Sequence, residues 1–455
     1  MSENKSVSIP RIIFADERSE ALIPPSVIMA SALQRRGYRI KPFVVGIDEY
    51  LVALLYLLLG EPVTVLDPFL VKNPTHLAEL FTATSYENRL NVLFASLGEA
   101  KGEDIVVNSD ILIVGEQLQC PIIPIFTSKG SSAFTGRRII KFSRDLPNPI
   151  HELVAAIAFT SVPNPREYQL LEISIGRDLP WTTLGYIPSF ILKEKPKLIS
   201  LIDRSSSSQF LLPIKTSAAR LIAMERQVEW EVIVAHARSA PPFGVKVLEH
   251  GVYNQSRRIG VIHHPALVLG GDNNEKFFEA HRFNVIPLDF KDKIAYNDFN
   301  FIYVPHGIGY MFMVDLIDNV SLMEVLAASR FKGKLFVEGG TSPIFGKVFH
   351  LPNESTIKGL SFFPYEGHYR ECSSTCHKVQ VENIYPESSE KAFRGYWPSW
   401  VLLEHKGFDC TSTWIAKKVG SQTSVEDGWR VGNAVASSLK LEFWSNPEAI
   451  AELLN

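Results

Sequence analysis

Apolar residues fall along this chain in short blocks separated by turn formers, and the blocks alternate between strand and helix length. Arg11 to Ala15 is a strand-like run, Ser26 to Arg36 is helical in length and spacing, and Gly37 follows as a helix C-cap. Arg39 to Val45 is again strand-like. Strand, helix, strand at this spacing predicts a βαβ unit, hence a parallel sheet with a right-handed crossover. Apolar runs at Leu90 to Phe94, Ile111 to Gly115 and Pro121 to Phe126 predict further strands, with Leu170 to Ser174 and Thr183 to Ile187 as weaker ones. Continuous runs of this kind suit a sheet buried on both faces. The greasiest stretch, Tyr50 to Leu59, falls well short of the roughly 20 residues a membrane helix needs, so a buried helix is expected there.

The pattern lapses between Ser239 and Ser256, where Ala-Pro-Pro-Phe-Gly leads into a stretch with Gly, Asn and Ser. This predicts a first domain over 1–240, a linker over 241–256 and a second domain over 257–455. The second α/β pattern runs through a strand at Arg258 to His263, a helix at Asn274 to Arg282 and strands at Asn284 to Pro287 and Phe301 to Val304. A helix through Leu322 to Arg330 then leads into a strand ending at Glu338. Beyond 348 shorter strands and aromatics predominate, closing with a helix at Asn446 to Leu454.

The stretch Lys334-Leu335-Phe336-Val337-Glu338-Gly339-Gly340-Thr341 has the form of a nucleophile elbow, a strand-to-helix bend that forces one residue out at its tip. Here the tip is Gly339, which tolerates the strained backbone but offers no sulfur or hydroxyl.

The 455 residues exceed what one core usually serves. A net charge of −3 leaves no basic excess to neutralise phosphates, so no nucleic-acid partner is expected. Four cysteines are too few for a disulfide scaffold and suit a reducing cytoplasm, and Met1 to Ile9 lacks the apolar run of a signal peptide. Cytoplasmic localisation without membrane association is expected.

Several segments in order resemble the cobyrinate a,c-diamide synthase family, two-domain enzymes that amidate tetrapyrrole carboxylates with ATP and glutamine. Leu33-Gln34-Arg35-Arg36-Gly37-Tyr38-Arg39-Ile40-Lys41-Pro42-Phe43 leading into Val45-Gly46-Ile47-Asp48 is similar to the family segment ending F-K-V-G-P-D-Y. Leu66-Asp67-Pro68-Phe69 and Leu184-Gly185-Tyr186-Ile187-Pro188 fit later landmarks. Val337-Glu338-Gly339-Gly340 resembles A-E-C-G-G, Arg394-Gly395 the start of R-G-H-E-F-H, and Gly428 through Ser437 the last strand region. The resemblance implies a P-loop-NTPase-like parallel-sheet domain, akin to dethiobiotin synthetase, followed by a class I glutamine amidotransferase-like domain of flavodoxin style.

Residue by residue, the chemistry implied by the resemblance is absent. Counted back without gaps from Phe43, the ATP motif G-x-G-S-G-x-G-K-T-T falls on Ala15 to Pro24, and K-T-T becomes Leu22-Ile23-Pro24. Phosphate-cradling glycines, the lysine and the magnesium-binding hydroxyl are missing there. The glutamate of I-E-G-x-x-G falls on Phe94. In the second domain the nucleophilic cysteine is Gly339, and the histidine base of S-Y-L-H-L-H-F is Lys440. The oxyanion segment G-G-G-Y-P-E reads Pro305-His306-Gly307-Ile308-Gly309-Tyr310, and R-G-H-E-F-H reads Arg394-Gly395-Tyr396-Trp397-Pro398-Ser399. Gly339, Lys440 and Leu22 are therefore vestigial positions, and no catalytic residue is assigned.

Other groups carry two readings each. Cys372-Ser373-Ser374-Thr375-Cys376-His377 has the spacing C-x3-C-H, and with His368 could ligate a metal or haem, or be packed cysteines beside an exposed histidine. His263-His264 ends a strand, either facing substrate or satisfied by backbone. His306 has the better claim to face the vestigial cleft. Tyr396, Trp397, Trp400 and Trp429 either stack on a flat macrocycle or are ordinary core and rim aromatics. Asp48 either borders a substrate groove or caps a helix.

The leading expectation is a catalytically inactive homologue of the family. It would bind a tetrapyrrole, or an active tetrapyrrole-modifying enzyme, as carrier, scaffold or regulatory subunit, as a homodimer or heteromer. The first alternative is ATP-dependent amidation of a tetrapyrrole carboxylate using free ammonia. The second is a structural subunit of a heteromer with an active paralogue. No cofactor is assigned apart from a possible bound tetrapyrrole.

Overall fold

The computed structural model describes all residues except 1–4, 18, 20, 204, 225–226, 246–256, 292–298, 333, 373–374, 384–391, 406–409, 449 and 451–455. Two compact units emerge. The first comprises residues 1–47, 54–68 and 84–247; the second comprises 48–53, 69–83 and 248–455. Most of the expected linker and the end of the expected C-terminal helix lie outside the described residues.

In the first unit the strands are β1 (Lys5–Val7), β2 (Arg11–Glu17), β3 (Ile40–Val45), β4 (Thr64–Leu66), β5 (Leu90–Lys101), β6 (Asp104–Val107), β7 (Ile122–Thr127), β8 (Ala156–Val162), β9 (Thr182–Pro188) and β10 (Phe243–Val245). Seven of them form a parallel sheet in the order β4-β3-β5-β2-β7-β8-β9; β6 turns back antiparallel on β5, and β1 pairs with β10. All residues of β2 and β3 are buried, as expected for strands covered by helices on both faces.

Two expected strands are helices instead. Ile111 to Gly115 lies in the helix Ser109–Gln117, because Asn108 accepts the Asp110 N–H and fixes a helical start. Leu170 to Ser174 lies in the helix Pro165–Ile175, opened by Asn164 accepting the Glu167 N–H and by Pro165 at the first helical position. There Leu171 and Ile175, one turn apart, are the buried pair. Short apolar runs are compatible with either period, and caps decide.

The second unit holds β11 (Arg258–His263), β12 (Asn284–Asp289), β13 (Phe301–Val304), β14 (Lys334–Glu338), β15 (Val348–His350), β16 (Thr356–Lys358), β17 (Glu366–Tyr369), β18 (Cys376–Asn383), β19 (Phe393–Pro398), β20 (Val401–Glu404), β21 (Thr411–Lys418), β22 (Ser424–Val431), β23 (Ala434–Ser437) and β24 (Lys440–Glu442). Its main sheet runs β12-β11-β13-β14-β23-β22-β21-β18-β19-β24. The first five of these are parallel, and in chain order their arrangement is 2-1-3-4-5, the flavodoxin-like order. The other five extend it antiparallel. A smaller sheet has the order β16-β15-β17-β20. The expectation of α/β architecture with parallel sheets, the second flavodoxin-style, is met. In such sheets ligands gather at the carboxyl ends of the parallel strands, which is where the turns after β11, β13 and β14 lie.

Candidate functional site

At the end of β14 the chain turns through Gly339, whose φ of +60° is the left-handed conformation an elbow tip requires. Residues Gly339–Phe345 then continue as a buried 3-10 segment. The space beside the tip is filled. His306, from the turn after β13, accepts the Gly340 N–H on Nδ1 at 2.9 Å. Its Nε2 donates to Glu49 Oε1 at 2.7 Å, and Trp400 Nε1 donates to Glu49 Oε2 at 3.1 Å. His306, Glu49 and Trp400 are all buried. Because Nδ1 accepts a backbone N–H, the ring proton sits on Nε2.

A Cβ on Gly339 would overlap His306 Nδ1 and lie 2.7 Å from its Cγ. Any nucleophile at the tip would therefore have to displace a ring held on both edges. The rest of the turn is as close: a Cβ on Gly340 would overlap Gly307 O and the Trp400 ring, and one on Gly307 would overlap Ala266 O. The Gly340 carbonyl accepts the Tyr369 hydroxyl at 2.8 Å. Tyr396 meets the His306 ring edge-on at 5.8 Å. Burial first, and then Glu49, pushes the Tyr396 phenol well above its ordinary range.

Lys440 is buried on β24, with Nζ 2.9 Å from Glu442 Oε2. Asn273 Nδ2 donates to the same oxygen at 3.0 Å. Glu338, directly before the tip, takes the Tyr303 hydroxyl and the Leu441 N–H, the latter at 3.2 Å. Burial raises the Glu338 carboxyl above the usual range, against the pull of Lys440 and these donors. The result is an internal network of paired polar groups around the elbow.

Glu49, which sequence reasoning passed over in favour of its neighbour Asp48, is the hub of this network. The available signal was that Glu49 is the one acid in a helix, Glu49–Leu59, that is otherwise apolar or tyrosine. Such an acid must find a partner when its helix packs. Asp48 itself accepts the Leu51 N–H at 2.9 Å and closes the helix start.

Cys376 also lies against Glu49; burial first, then that carboxylate, drives its thiol far up, so it is a protonated donor rather than a thiolate. Burial pushes the Cys372 thiol up to about 12. Cys376 and His377 are successive on β18 and so face opposite sides of the sheet. Burial lowers the His377 pKa, with Lys418 adding to the effect. Among the described residues the group with metal-ligand spacing is His350, Glu366 and His368; it includes none of Cys372, Cys376 and His377.

Of the aromatic candidates Tyr396 and Trp400 both meet the His306 ring, at 5.8 and 5.9 Å, whereas Trp397, next to Tyr396 on β19, faces the other side of the sheet. Tyr396 is buried, while its neighbour Trp397 is half-buried and donates to the Val401 carbonyl at 2.9 Å. Trp429 stacks on His405 with centroids 5.0 Å apart. His263 pairs with Glu275 at 3.1 Å, and His264 with Asp315 at 2.8 Å while accepting the Ala266 N–H.

In the first unit, Leu22 forms an isolated bridge with Glu194. The helix Pro25–Arg35 starts where a phosphate would seek amides, yet Pro25 has no N–H and the Ser26 N–H donates to Asp16 Oδ1 at 3.1 Å. The Ser26 hydroxyl donates to the other Asp16 oxygen. Burial raises the Asp16 carboxyl to about 7 despite those two bonds. Glu17 pairs with Arg138 at 2.7 Å and Lys129 at 2.8 Å and accepts the Thr127 N–H.

No family model matches the chain. It is 23% identical over 437 residues to a cobyrinate a,c-diamide synthase of Listeria monocytogenes serovar 1/2a, covering 93% of each. It is 21% identical over 450 residues to a protein of the same name from Listeria innocua serovar 6a, again covering 93% of each. Solved structures to which it is similar include that of PurLQS from Thermotoga maritima (14% identity, 43% of this chain and 92% of that one, TM-score 0.29). Another is the MinC:MinD cell division protein complex of Aquifex aeolicus (12% identity, 48% and 97%, TM-score 0.28). Among the described residues no helix is long and apolar enough to cross a membrane.

Proposed function

We propose that this relative of the cobyrinate a,c-diamide synthases is catalytically inactive, and that it binds a tetrapyrrole, or an enzyme that modifies one, as carrier, scaffold or regulatory subunit. The observation that carries the reading is the overlap of any Cβ at Gly339 with the His306 ring. A glutamine amide needs a nucleophile at that tip and a base within hydrogen-bond reach; here the tip has no side chain and the base position is an ion-paired lysine. The proline and the engaged Ser26 amide at the first helix support loss of nucleotide binding in the same way. The tetrapyrrole side of the reading rests on the names of the Listeria relatives.

Incubation with a cobyrinate-type acid, ATP, magnesium and either glutamine or ammonium is expected to yield no amide above the protein-free blank. Product with ammonium would instead establish the ligase alternative. An absorbance titration with cobyrinate-type corrinoids is expected to give saturable binding, and its absence together with failure to co-purify an active paralogue would end the carrier and scaffold readings.

A further inference from the structure

The geometry points to a site for a first-row divalent metal ion of the zinc class on the outer face of the small sheet, held by His350, Glu366 and His368. In that sheet β15 runs parallel to β17 and β20 antiparallel to it, with His350 opposite His368 and Glu366 opposite Glu404. Residues directly opposite, and residues two apart, share a face of a sheet. His350, Glu366, His368 and Glu404 therefore form one patch, while Phe349, Tyr369, Val401 and Leu403 point the other way and are buried. The inward side chains anchor the strands and leave the outward ones as an ordered, part-exposed polar array.

The donor atoms converge. One ligand atom from each of His350, Glu366 and His368 lies within 4.8 Å of the other two. His350 Nε2 is 3.5 Å from Glu366 Oε2, and His368 Nε2 is 3.6 Å from Glu404 Oε2. Ligands about 2.0–2.1 Å from a tetrahedral zinc are separated by roughly 3.3–3.5 Å, so the His350–Glu366 and His368–Glu404 spacings are nearly in place and the remaining ligand atoms close from at most 4.8 Å. The two imidazoles stack with centroids 4.4 Å apart and 14° between planes, which holds the rings side by side on this face. With its proton on Nδ1, His350 donates to Thr356 Oγ1 at 3.0 Å and leaves the Nε2 lone pair toward Glu366, the outer hydrogen bond that orients a ligating histidine. Two imidazoles and a carboxylate favour zinc, cobalt, nickel or copper over magnesium or calcium, which prefer all-oxygen sets. Glu404 stands beside His368 as the fourth ligand or as acceptor for a metal-bound water. A metal here ties β15 to β17, and through Glu404 to β20.

The test is calorimetric titration of tag-free, chelator-treated full-length protein with zinc chloride, and with cobalt chloride followed by absorbance. One equivalent is expected to bind, with tetrahedral cobalt bands and a raised melting temperature. His350→Gln, His368→Gln and Glu366→Gln are each expected to weaken binding by about 10-fold or more, with unchanged circular dichroism. Cys372→Ser and Cys376→Ser are expected to leave binding unaltered. Absence of binding, affinity indifferent to all three ligand variants, or loss of binding in the cysteine variants would overturn the site and leave plain imidazole–carboxylate pairs.

Discussion

The turn after β2 in the first unit and the turn after β14 in the second are both strand-to-helix bends at the carboxyl edge of a parallel sheet, and the chain closes them differently. At Gly339 the strained backbone survives, and the obstruction is a ring in the side chain's place. At the first helix a carboxyl group from the preceding strand instead occupies the Ser26 amide and hydroxyl. One closure is steric and holds at every pH. The other is a hydrogen-bonded closure made by Asp16, whose carboxyl burial pushes up to about 7. Lacking a reactive atom and lacking the space for one are separate conditions, and both hold at Gly339.

The largest effect is expected from Lys440→Ala, which strands Glu442 in the interior. Breaking a buried pair from one side costs about 3–5 kcal/mol, to be read as a fall in urea denaturation free energy. A loss below about 1 kcal/mol would mean that the Lys440 side chain is wetter than its burial implies. Next comes Gly339→Cys, which combines a left-handed side chain with a collision against His306. A cost of about 2–4 kcal/mol is expected, with no glutamine hydrolysis. Hydrolysis by the variant, alone or with Lys440→His, would break the contrast by showing the elbow to be merely missing its sulfur.

The smallest effect concerns Asp16. In the unfolded chain its proton leaves near pH 3.8, whereas in the fold it stays until about pH 7. Between those values the folded state holds the extra proton, so the contribution of Asp16 is intact below about pH 4 and is lost as pH rises through 7. At about 1.4 kcal/mol per unit, reduced for relaxation of a buried carboxylate, the loss is roughly 2 kcal/mol. Asp16→Asn keeps an acceptor for Ser26 and is expected to flatten the stability difference between pH 4.5 and 8. An unchanged slope would place the titration elsewhere.

Much of this was legible in the sequence, for physical reasons. The opening strand, helix and strand follow from apolar blocks with Gly37 as a stop, and Gly37 does take a φ of +95°. The turn after β14 was legible because a glycine pair closing an apolar strand marks a tight bend, and Gly339 takes a φ of +60°. What periodicity could not separate were short apolar runs such as Ile111 to Gly115, where one Asn108 side chain selects helix. Glu49 was out of reach for another reason. Its partners His306, Cys376 and Trp400 lie more than 250 residues away, and no local pattern records such a meeting. The same holds for His350 and His368, which become neighbours through strand register alone.

That remoteness bears on how the gene can be dissected. Residues 48–53 and 69–83 belong by packing to the second unit, although they are translated long before the rest of it. An expression clone beginning at 248 would omit the carboxylate that accepts the His306 Nε2–H, and with it the backbone carbonyl of Phe69 that Arg394 binds at 2.8 Å. The two halves are thus interleaved in the reading frame, and neither can be cut free by a single break without robbing the other.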